Sequence, residues 1–210
     1  MNDFTVSIND WADGAAIPAR FAFGQLDDQG AFALSDNVSP AIRWTNAPAG
    51  TRSFAIVVSD PDVPSSAEDV NQEGRAVPAD LPRITFFHWL AANIPADQTG
   101  IDEGVGSNGV TPGGKPVGDA GYGTLGANNY TQWFAGDPQM AGTYGGYDGP
   151  CPPWNDSIIH HYHFTVYALD VATLTLQTGF DGPALLAAME GHVLASAQHT
   201  GTYTLNAALQ

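Results

Sequence analysis

Residues 53–59 read Ser-Phe-Ala-Ile-Val-Val-Ser, a nearly continuous apolar run of strand length. An apolar run without alternation predicts a central strand that is covered on both faces. Residues 85–92 contain Phe86-Phe87-His88-Trp89-Leu90 and predict a second strand of the same kind. The two runs favour a mostly β protein with a buried sheet.

The rest of the chain extends this pattern, because 24 glycines and 15 prolines separate short apolar segments. Such punctuation is typical of a β-sandwich. Residues Pro183–Ala195 predict one helix, with Asp181 as its N-cap. The Gly-rich region Gly100–Gly145 predicts a long loop or set of loops, ordered by its aromatic side chains. The remaining predicted strands are Phe4–Ile8, Ala41–Trp44, His161–Ala168 and Thr202–Leu205.

Length and charge limit the classes of protein. We expect a single domain over residues 1–210, with a net charge of −16 from 22 acidic and 6 basic side chains. Such a field repels nucleic acid and anionic membrane surfaces. The lone Cys151 excludes an intrachain disulfide. The sequence begins without a signal-peptide pattern and has no apolar run of bilayer length, so we expect a cytoplasmic protein without integral membrane contact.

Three of the six histidines lie in the run His160-His161-Tyr162-His163. Successive side chains of a strand point to opposite faces, so His160 and Tyr162 share one face and His161 and His163 share the other. The run follows the proline-rich stretch Gly149–Pro153. Polar aromatic side chains on a rigid strand beside a stiff loop suit a small anionic or metal ligand.

Two further motifs carry polar side chains at strand positions. Asp60-Pro61-Asp62 follows the first apolar strand directly, and His88 lies inside the second. The aspartates are either site residues or turn formers at a strand exit. His88 is either a ligand or a hydrogen-bonded core residue.

The stretch Gly149–Pro153 has two interpretations as well. It is either a rigid surface turn or a pocket wall whose backbone N–H groups face an anion. Proline lacks an N–H, so only Gly149 and Cys151 can donate from residues 149–153. The Cys151 thiol is either a small buried hydrophobe or a reactive group at the cavity lip.

Taken in order, these motifs resemble the phosphatidylethanolamine-binding protein family, in particular its bacterial Raf-kinase-inhibitor-like branch. The resemblance extends roughly over residues 15–205. It implies an antiparallel β-sandwich with Greek-key connections, a long loop region and a C-terminal helix. The matching motifs are Asp60-Pro61-Asp62-x-Pro64, His88-Trp89, Gly149-Pro150 with Pro152-Pro153, and His160-x-Tyr162.

The resemblance also implies a surface cavity that binds phosphate, a phosphorylated headgroup or a similar small anion. We expect no turnover, no catalytic residue, no metal and no cofactor, and the resemblance implies a homodimer. One departure is His161, which stands where the family commonly has arginine. The cavity residues carried over by the motifs are Asp60, Asp62, His88, Gly149, Pro150, His160 and Tyr162.

An anion in so acidic a protein must be held by local donors. Those on offer are His88, His160, the Tyr162 hydroxyl and backbone N–H groups near Gly149. We hypothesise that an aspartate, Asp60 or Asp62, orients a histidine and raises its charged fraction. Binding should then strengthen as the pH falls through the histidine range.

Two alternative functions stay open at this point. Two histidines and a carboxylate can hold a metal ion with open positions, as a metal-dependent hydrolase requires. The aromatic, Gly-rich loop Gly121–Gly146 is instead a candidate surface for a protein-interaction module, such as a protease or kinase inhibitor.

Overall fold

The structure, a computed structural model, describes residues 3–210. Two α-helices, α1 (Tyr130–Trp133) and α2 (Gly182–Met189), and two 3₁₀ turns, Ala19–Phe21 and Ala207–Leu209, lie within this range. The strands of the same range are β1 (Thr5–Ser7), β2 (Gly24–Leu26), β3 (Phe32–Leu34), β4 (Ile42–Thr45), β5 (Ser53–Pro64), β6 (Arg83–Pro95), β7 (Gly100–Ile101), β8 (Gly114–Lys115), β9 (Gly118–Asp119), β10 (Thr124–Leu125), β11 (Thr143–Tyr144), β12 (His160–Leu169) and β13 (Val193–Tyr203).

The main sheet has six strands in the order β13-β12-β5-β6-β10-β9, all paired antiparallel. Among the four strands β5, β6, β10 and β12, the last in the sequence, β12, lies beside the first, β5, which is the Greek-key arrangement. A second sheet has the order β1-β4-β7, and β2-β3 and β8-β11 form two-stranded ribbons. The β8-β11 pair is parallel. The predicted mostly antiparallel β fold with a C-terminal helix is confirmed.

Strand β5 is covered on both faces, as its apolar run predicts. Phe54, Ile56 and Val58 are buried in the cluster that includes side chains of the β1-β4-β7 sheet. Ala55 and Val57 are buried in a second cluster that includes helix α2. Hydrophobic burial on both faces of one strand holds the two layers together.

Strand β12 alternates as expected. His160 and Tyr162 are buried, His161 is exposed and His163 is intermediate. The first two side chains therefore point into the molecule from one face of the strand, which brings them toward β5 and β6.

The C-terminal prediction needs a correction. Helix α2 ends at Met189, and Gly191 adopts a left-handed conformation with φ +78°. Glycine reaches that conformation without steric cost, so it ends the helix. Strand β13 then starts at Val193, well before the predicted Thr202, and pairs with β12. Pairing with a neighbouring strand overrides the weak strand preference of its Ala and Ser residues.

The region Gly100–Gly145 holds the short strands β7–β11 and helix α1. Tyr130 and Tyr144 are buried, whereas Trp133 is exposed. Within residues 3–210, no helix has the length and apolar character needed to cross a bilayer.

We expect Asp181→Ala to lower the free energy of unfolding by about 1 kcal/mol, because the Asp181 side chain accepts from the Ala184 N–H at 2.9 Å and caps α2. Urea denaturation measures the loss. The matched control is Asp97→Ala at an exposed position, which should change stability by less than about 0.5 kcal/mol. Equal losses in both variants would contradict the capping role.

Candidate functional site

A cavity of about 600 Å³ opens where β5, β6 and β12 bring polar side chains together. Four of the seven predicted site residues line it: Asp60 from β5, His88 from β6, and His160 and Tyr162 from β12. All four are buried. Four of the predicted residues thus share one cavity, although the hydrogen bonds of His160 and His88 differ from those predicted.

His160 lies between two carboxylates. Its Nδ1 is 2.7 Å from an Asp60 oxygen, and its Nε2 is 3.1 Å from an Asp156 oxygen. Arg83 also donates to Asp156, from Nη1 at 2.6 Å and Nη2 at 3.0 Å. Burial disfavours the imidazolium, but the hydrogen bonds and charges of Asp156 and Asp60 outweigh burial and raise the pKa of His160 to about 9.

At neutral pH His160 is therefore an imidazolium that is hydrogen-bonded to a carboxylate at each ring nitrogen. It has no N–H left for a ligand. The prediction that it donates to an anion is wrong. Asp60 does have the predicted orienting role, and it acts on His160. Together the two cations His160 and Arg83 balance the two carboxylates Asp60 and Asp156, so this buried group is neutral overall.

His88 and Tyr162 leave polar atoms open. The His88 Nδ1 is 2.7 Å from the Asp148 carbonyl oxygen, so Nδ1 carries the proton and donates. Its Nε2 and the Tyr162 hydroxyl are buried and make no hydrogen bond of ordinary geometry with the described residues, although the Tyr162 hydroxyl lies close enough to the Asp60 carboxylate for that charge to act on its pKa. Burial lowers the pKa of His88, and burial raises the pKa of Tyr162 well above 10. At neutral pH the unpaired atom of His88 is therefore a lone pair and that of Tyr162 is an O–H, and both residues line the cavity.

Asp148, which the sequence analysis missed, positions His88. Its backbone carbonyl oxygen accepts from His88 Nδ1, and its backbone N–H donates to the His88 carbonyl at 3.0 Å. Its buried carboxylate accepts from Asn37 at 2.9 Å, Asn128 at 2.8 Å and Lys115 at 2.6 Å. Two signals point to this network in hindsight: Lys115 is the only lysine of the chain, and Asp148 directly precedes the Gly-Pro motif.

Gly149 and Pro150 support the wall without lining it. The Gly149 N–H donates to Asn37 Oδ1 at 2.8 Å, so the prediction that it faces an anion is wrong. A Cβ at Gly149 would lie 2.0 Å from the Phe21 carbonyl oxygen, which explains the need for glycine. The Pro150 carbonyl accepts from two successive backbone amides at the beginning of β2.

Cys151 does line the cavity. Burial raises the pKa of its thiol to about 12, so the thiol stays protonated and the interpretation as a small hydrophobe is favoured. Its backbone N–H meets no acceptor in the part of the chain that the structure describes. Of the two donors predicted from residues 149–153, the Cys151 amide is the one still available.

Asp62 lies away from the cavity. Its carboxylate accepts from the backbone N–H of His161 at 2.9 Å and lies 2.8 Å from His161 Nδ1. The β5–β6 pairing is irregular between Asp60 and Val63, so the two aspartates lose the shared face that a regular strand would give them. The Asp62 side chain therefore lies on the face of β12 that carries His161, opposite to His160. The structure does not place Asp62 in the cavity, where the sequence predicts it.

The metal-hydrolase alternative needs two histidines with available nitrogens. Both nitrogens of His160 face carboxylates, and no three His, Cys, Asp or Glu side chains within residues 3–210 come together as a metal site. The geometry does not favour that alternative.

Comparison with known proteins gives consistent matches. A family model described as "Phosphatidylethanolamine-binding protein" matches residues 7–204. A UPF0098 protein of Methanothermobacter thermautotrophicus is 34% identical over 168 residues, which cover 80% of this chain and 83% of that protein. The Escherichia coli UPF0098 protein YbhB is 29% identical, over 93% of this chain and 97% of its own.

Solved structures are similar over nearly the whole chain. Escherichia coli YbcL, described as a new member of the mammalian PEBP family, superposes with a TM-score of 0.68 at 25% identity. The alignment covers 97% of this chain and 99% of YbcL. The Chlamydia trachomatis homologue CT736 gives a TM-score of 0.63 at 25% identity, covering 97% of this chain and 98% of that one.

We expect the stability of the protein to fall as the pH rises from 7 to 10. The folded pKa of His160, about 9, exceeds the ordinary value of 6.5, so its contribution is complete below pH 6.5 and is lost through pH 9. The shift corresponds to about 3 kcal/mol. Chemical denaturation between about pH 6.5 and 8.5, below the range in which the buried Cys151 thiol contributes, should show this slope in the wild type and its absence in His160→Gln. His192→Gln, at an exposed His–Asp pair, should keep the slope.

We expect Lys115→Met to lower the free energy of unfolding by about 3–5 kcal/mol, because it leaves the Asp148 carboxylate buried without its cation. The double variant Lys115→Met/Asp148→Asn should recover part of the loss. Arg43→Met breaks an exposed pair with Asp102 and should cost less than about 1 kcal/mol in the same denaturation experiment. A Lys115 variant as stable as the Arg43 variant would refute the supporting role of this pair.

Proposed function

We propose, because this chain belongs to the phosphatidylethanolamine-binding protein family, that its cavity binds a small anion of the phosphate-monoester kind without chemical turnover. One observation carries the proposal. His88 Nε2 and the Tyr162 hydroxyl are buried polar atoms without a partner within residues 3–210, and both residues line the cavity. Buried polar atoms are nearly always hydrogen-bonded, so an unpaired set in one cavity indicates a ligand.

The charge of the floor supports an anionic guest despite the net charge of −16. The Asp60 carboxylate would repel an anion if it stood alone, but the His160 imidazolium lies 2.7 Å from it. The Asp156 carboxylate is balanced in the same way by Arg83. An approaching anion therefore meets paired charges at the floor, in contrast to the uncompensated field of the whole molecule.

The open groups fit one protonation state of the ligand. The Tyr162 hydroxyl and the Cys151 N–H are donors suited to ionised phosphate oxygens. Neutral His88 presents a lone pair at Nε2 and needs a donor opposite it. A phosphate monoester that retains one P–O–H supplies both kinds of group, whereas sulfate lacks the donor.

Binding without turnover is consistent with the protonation of the groups at the floor. Burial raises the pKa of the Cys151 thiol to about 12 and raises that of Tyr162 well above 10, so neither is an ionised nucleophile at neutral pH. His160 is held by two carboxylates and is not available as a base.

We expect the affinity for methyl phosphate to rise as the pH falls from 8 to 6, by up to tenfold per pH unit. The complex holds one proton between the ligand and His88, and the second phosphate pKa is near 6. Sulfate brings no proton, so it should bind only when His88 is itself protonated. Because the pKa of His88 lies below 6.5, sulfate should bind at least about tenfold more weakly than methyl phosphate at pH 6. Isothermal titration calorimetry with both ions measures this.

Variants separate the two contacts. His88→Ala should weaken methyl phosphate binding at least tenfold and abolish the pH slope, whereas Tyr162→Phe should weaken it about tenfold and keep the slope. His192→Ala, at the exposed pair with Asp170, is the control and should bind as the wild type does. A wild-type affinity that stays level between pH 6 and 8, or equals that for sulfate, would exclude the proposed protonation state.

A further inference from the structure

The face of β12 opposite the cavity carries two histidines that the proposed function does not use. His161 and His163 are two residues apart, and the pairing of β12 with β13 is regular at this point, so both side chains point to the same side of the sheet. The His161 side chain is 52% exposed, and His163 is half-buried. Farther along this face Tyr167 packs against the cluster that includes Leu185 and Met189 of α2. The helix therefore covers one end of the face and leaves the two imidazoles accessible at the other.

The Asp62 carboxylate determines which nitrogen of His161 is free. One Asp62 oxygen lies 2.8 Å from His161 Nδ1 and also accepts the backbone N–H of His161 at 2.9 Å. Because an ionised carboxylate only accepts, Nδ1 carries the proton, and in the neutral ring Nε2 presents its lone pair. Metal-bound histidines usually have such a carboxylate behind them, since it sets the tautomer and raises the basicity of the ligating nitrogen.

The His163 ring is available as a second ligand. Side-chain hydrogen bonds on this face of the strand involve His161 and Thr165, and none within residues 3–210 involves the His163 ring. Residues two positions apart on a strand are about 6.5 Å apart. Two imidazoles at that spacing can tilt toward one ion and reach it at the usual N–metal distance of about 2.0–2.1 Å. Thr202 and Thr200 lie opposite the two histidines on β13, and their short side chains leave room for an ion.

The charges around the pair favour a cation. The net charge of −16, which opposes an anion in the cavity, attracts cations to the surface. The Asp62 carboxylate lies beside the pair, and among the described residues its side chain has no Lys or Arg partner. Arg83 donates to the Asp62 backbone carbonyl oxygen at 2.8 Å, but Asp156 balances its charge. An ion held by the two imidazoles thus lies near a negative charge that no cation of the protein compensates.

The two nitrogens define the class of ion. Imidazole suits copper, nickel and zinc, whereas Mg²⁺ and Ca²⁺ prefer oxygen ligands. Within residues 3–210 no third His, Cys, Asp or Glu side chain joins the pair as a metal ligand, so water fills the other coordination positions. Such a site is open and exchangeable, in contrast to a closed structural site with four protein ligands. For one set of nitrogen ligands the affinity is highest for Cu²⁺ among these divalent ions.

We propose that His161 and His163 form a surface chelate for one divalent transition-metal ion, with Cu²⁺ bound more tightly than Ni²⁺ or Zn²⁺ and with Asp62 as the positioning residue. The chelate is independent of the anion cavity, because the cavity residues His160 and Tyr162 point to the other face of β12. Arginine, which the family commonly has at position 161, offers no lone pair to a metal. The proposal departs from the expectation that the chain holds no metal.

The test is isothermal titration calorimetry of Cu²⁺, Ni²⁺ and Zn²⁺ into the full chain without an affinity tag, in a non-coordinating buffer at pH 7.5. We expect one ion per chain, with Cu²⁺ bound most tightly. His161→Gln and His163→Gln should each weaken Cu²⁺ binding at least about tenfold, because the loss of a ligand costs no less than the loss of its outer partner. Electron paramagnetic resonance of bound Cu²⁺ should show two imidazole nitrogens in the wild type and one in each variant.

His192→Gln is the matched control. His192 Nδ1 lies 2.9 Å from Asp170 in another exposed pair, but no second histidine lies two residues away. This variant should bind Cu²⁺ as the wild type does, and so should His88→Gln, which changes the cavity. Asp62→Ala should weaken Cu²⁺ binding about 10–100-fold, and Asp62→Asn, which keeps an acceptor oxygen, should restore part of the affinity.

Three results would overturn the chelate. Cu²⁺ binding that is unchanged in both His161→Gln and His163→Gln would place the ion elsewhere. Binding lost in His88→Gln but kept in His161→Gln would place it in the cavity. Equal weakening in His161→Gln and His192→Gln would mean that single exposed imidazoles adsorb the ion. Methyl phosphate titrations decide the proposed function separately, since neither His161→Gln nor His163→Gln should change the affinity for that anion.

Discussion

The cavity depends on one interaction, the pairing of the buried His160 imidazolium with the carboxylates of Asp60 and Asp156. Removing a charge from water is expensive unless it is paired with good geometry, and His160 meets that condition at both nitrogens. Its partners are Asp60 near the end of β5 and Asp156 in the loop before β12, and Asp156 is also paired with Arg83 at the start of β6. One set of compensated charges thus fixes the ends of three neighbouring strands, and a polar floor is held in a mostly apolar fold.

A second buried network supports His88, which lines the cavity. Asp148 receives three side-chain donors, and its backbone bonds to both the imidazole and the carbonyl of His88, which fixes the tautomer with the proton on Nδ1. Every polar atom of the supporting carboxylates has a partner, whereas His88 Nε2 and the Tyr162 hydroxyl lack one among the described residues. A rigid, satisfied support beneath unsatisfied groups is the arrangement expected of a preorganised binding site.

The sequence predicts the fold and the strands of the site well, because both depend on local patterns. The apolar run 53–59 identifies the central strand, and period-two alternation gives His160 and Tyr162 a common face. The predicted chemical roles are wrong where a side chain or backbone N–H bonds to a partner that its own sequence motif does not contain. His160 looks like a donor until Asp156 is seen at its second nitrogen, and Gly149 looks like one until Asn37 accepts its N–H. Asp62 enters the prediction because it belongs to the family motif, and the irregular pairing between Asp60 and Val63 leaves its carboxylate on the His161 side of β12.

How so acidic a chain could hold an anion follows from where its charges are cancelled. A basic patch would attract anions over a long range, but this protein has six basic side chains, and Arg83 and Lys115 are both committed to buried carboxylates. Attraction must then be short-range: paired charges at the floor, a hydroxyl and an amide as donors, and apolar walls that exclude water and strengthen each polar contact. A site of this kind selects its guest by hydrogen-bond pattern and by shape, because charge alone would keep the guest away.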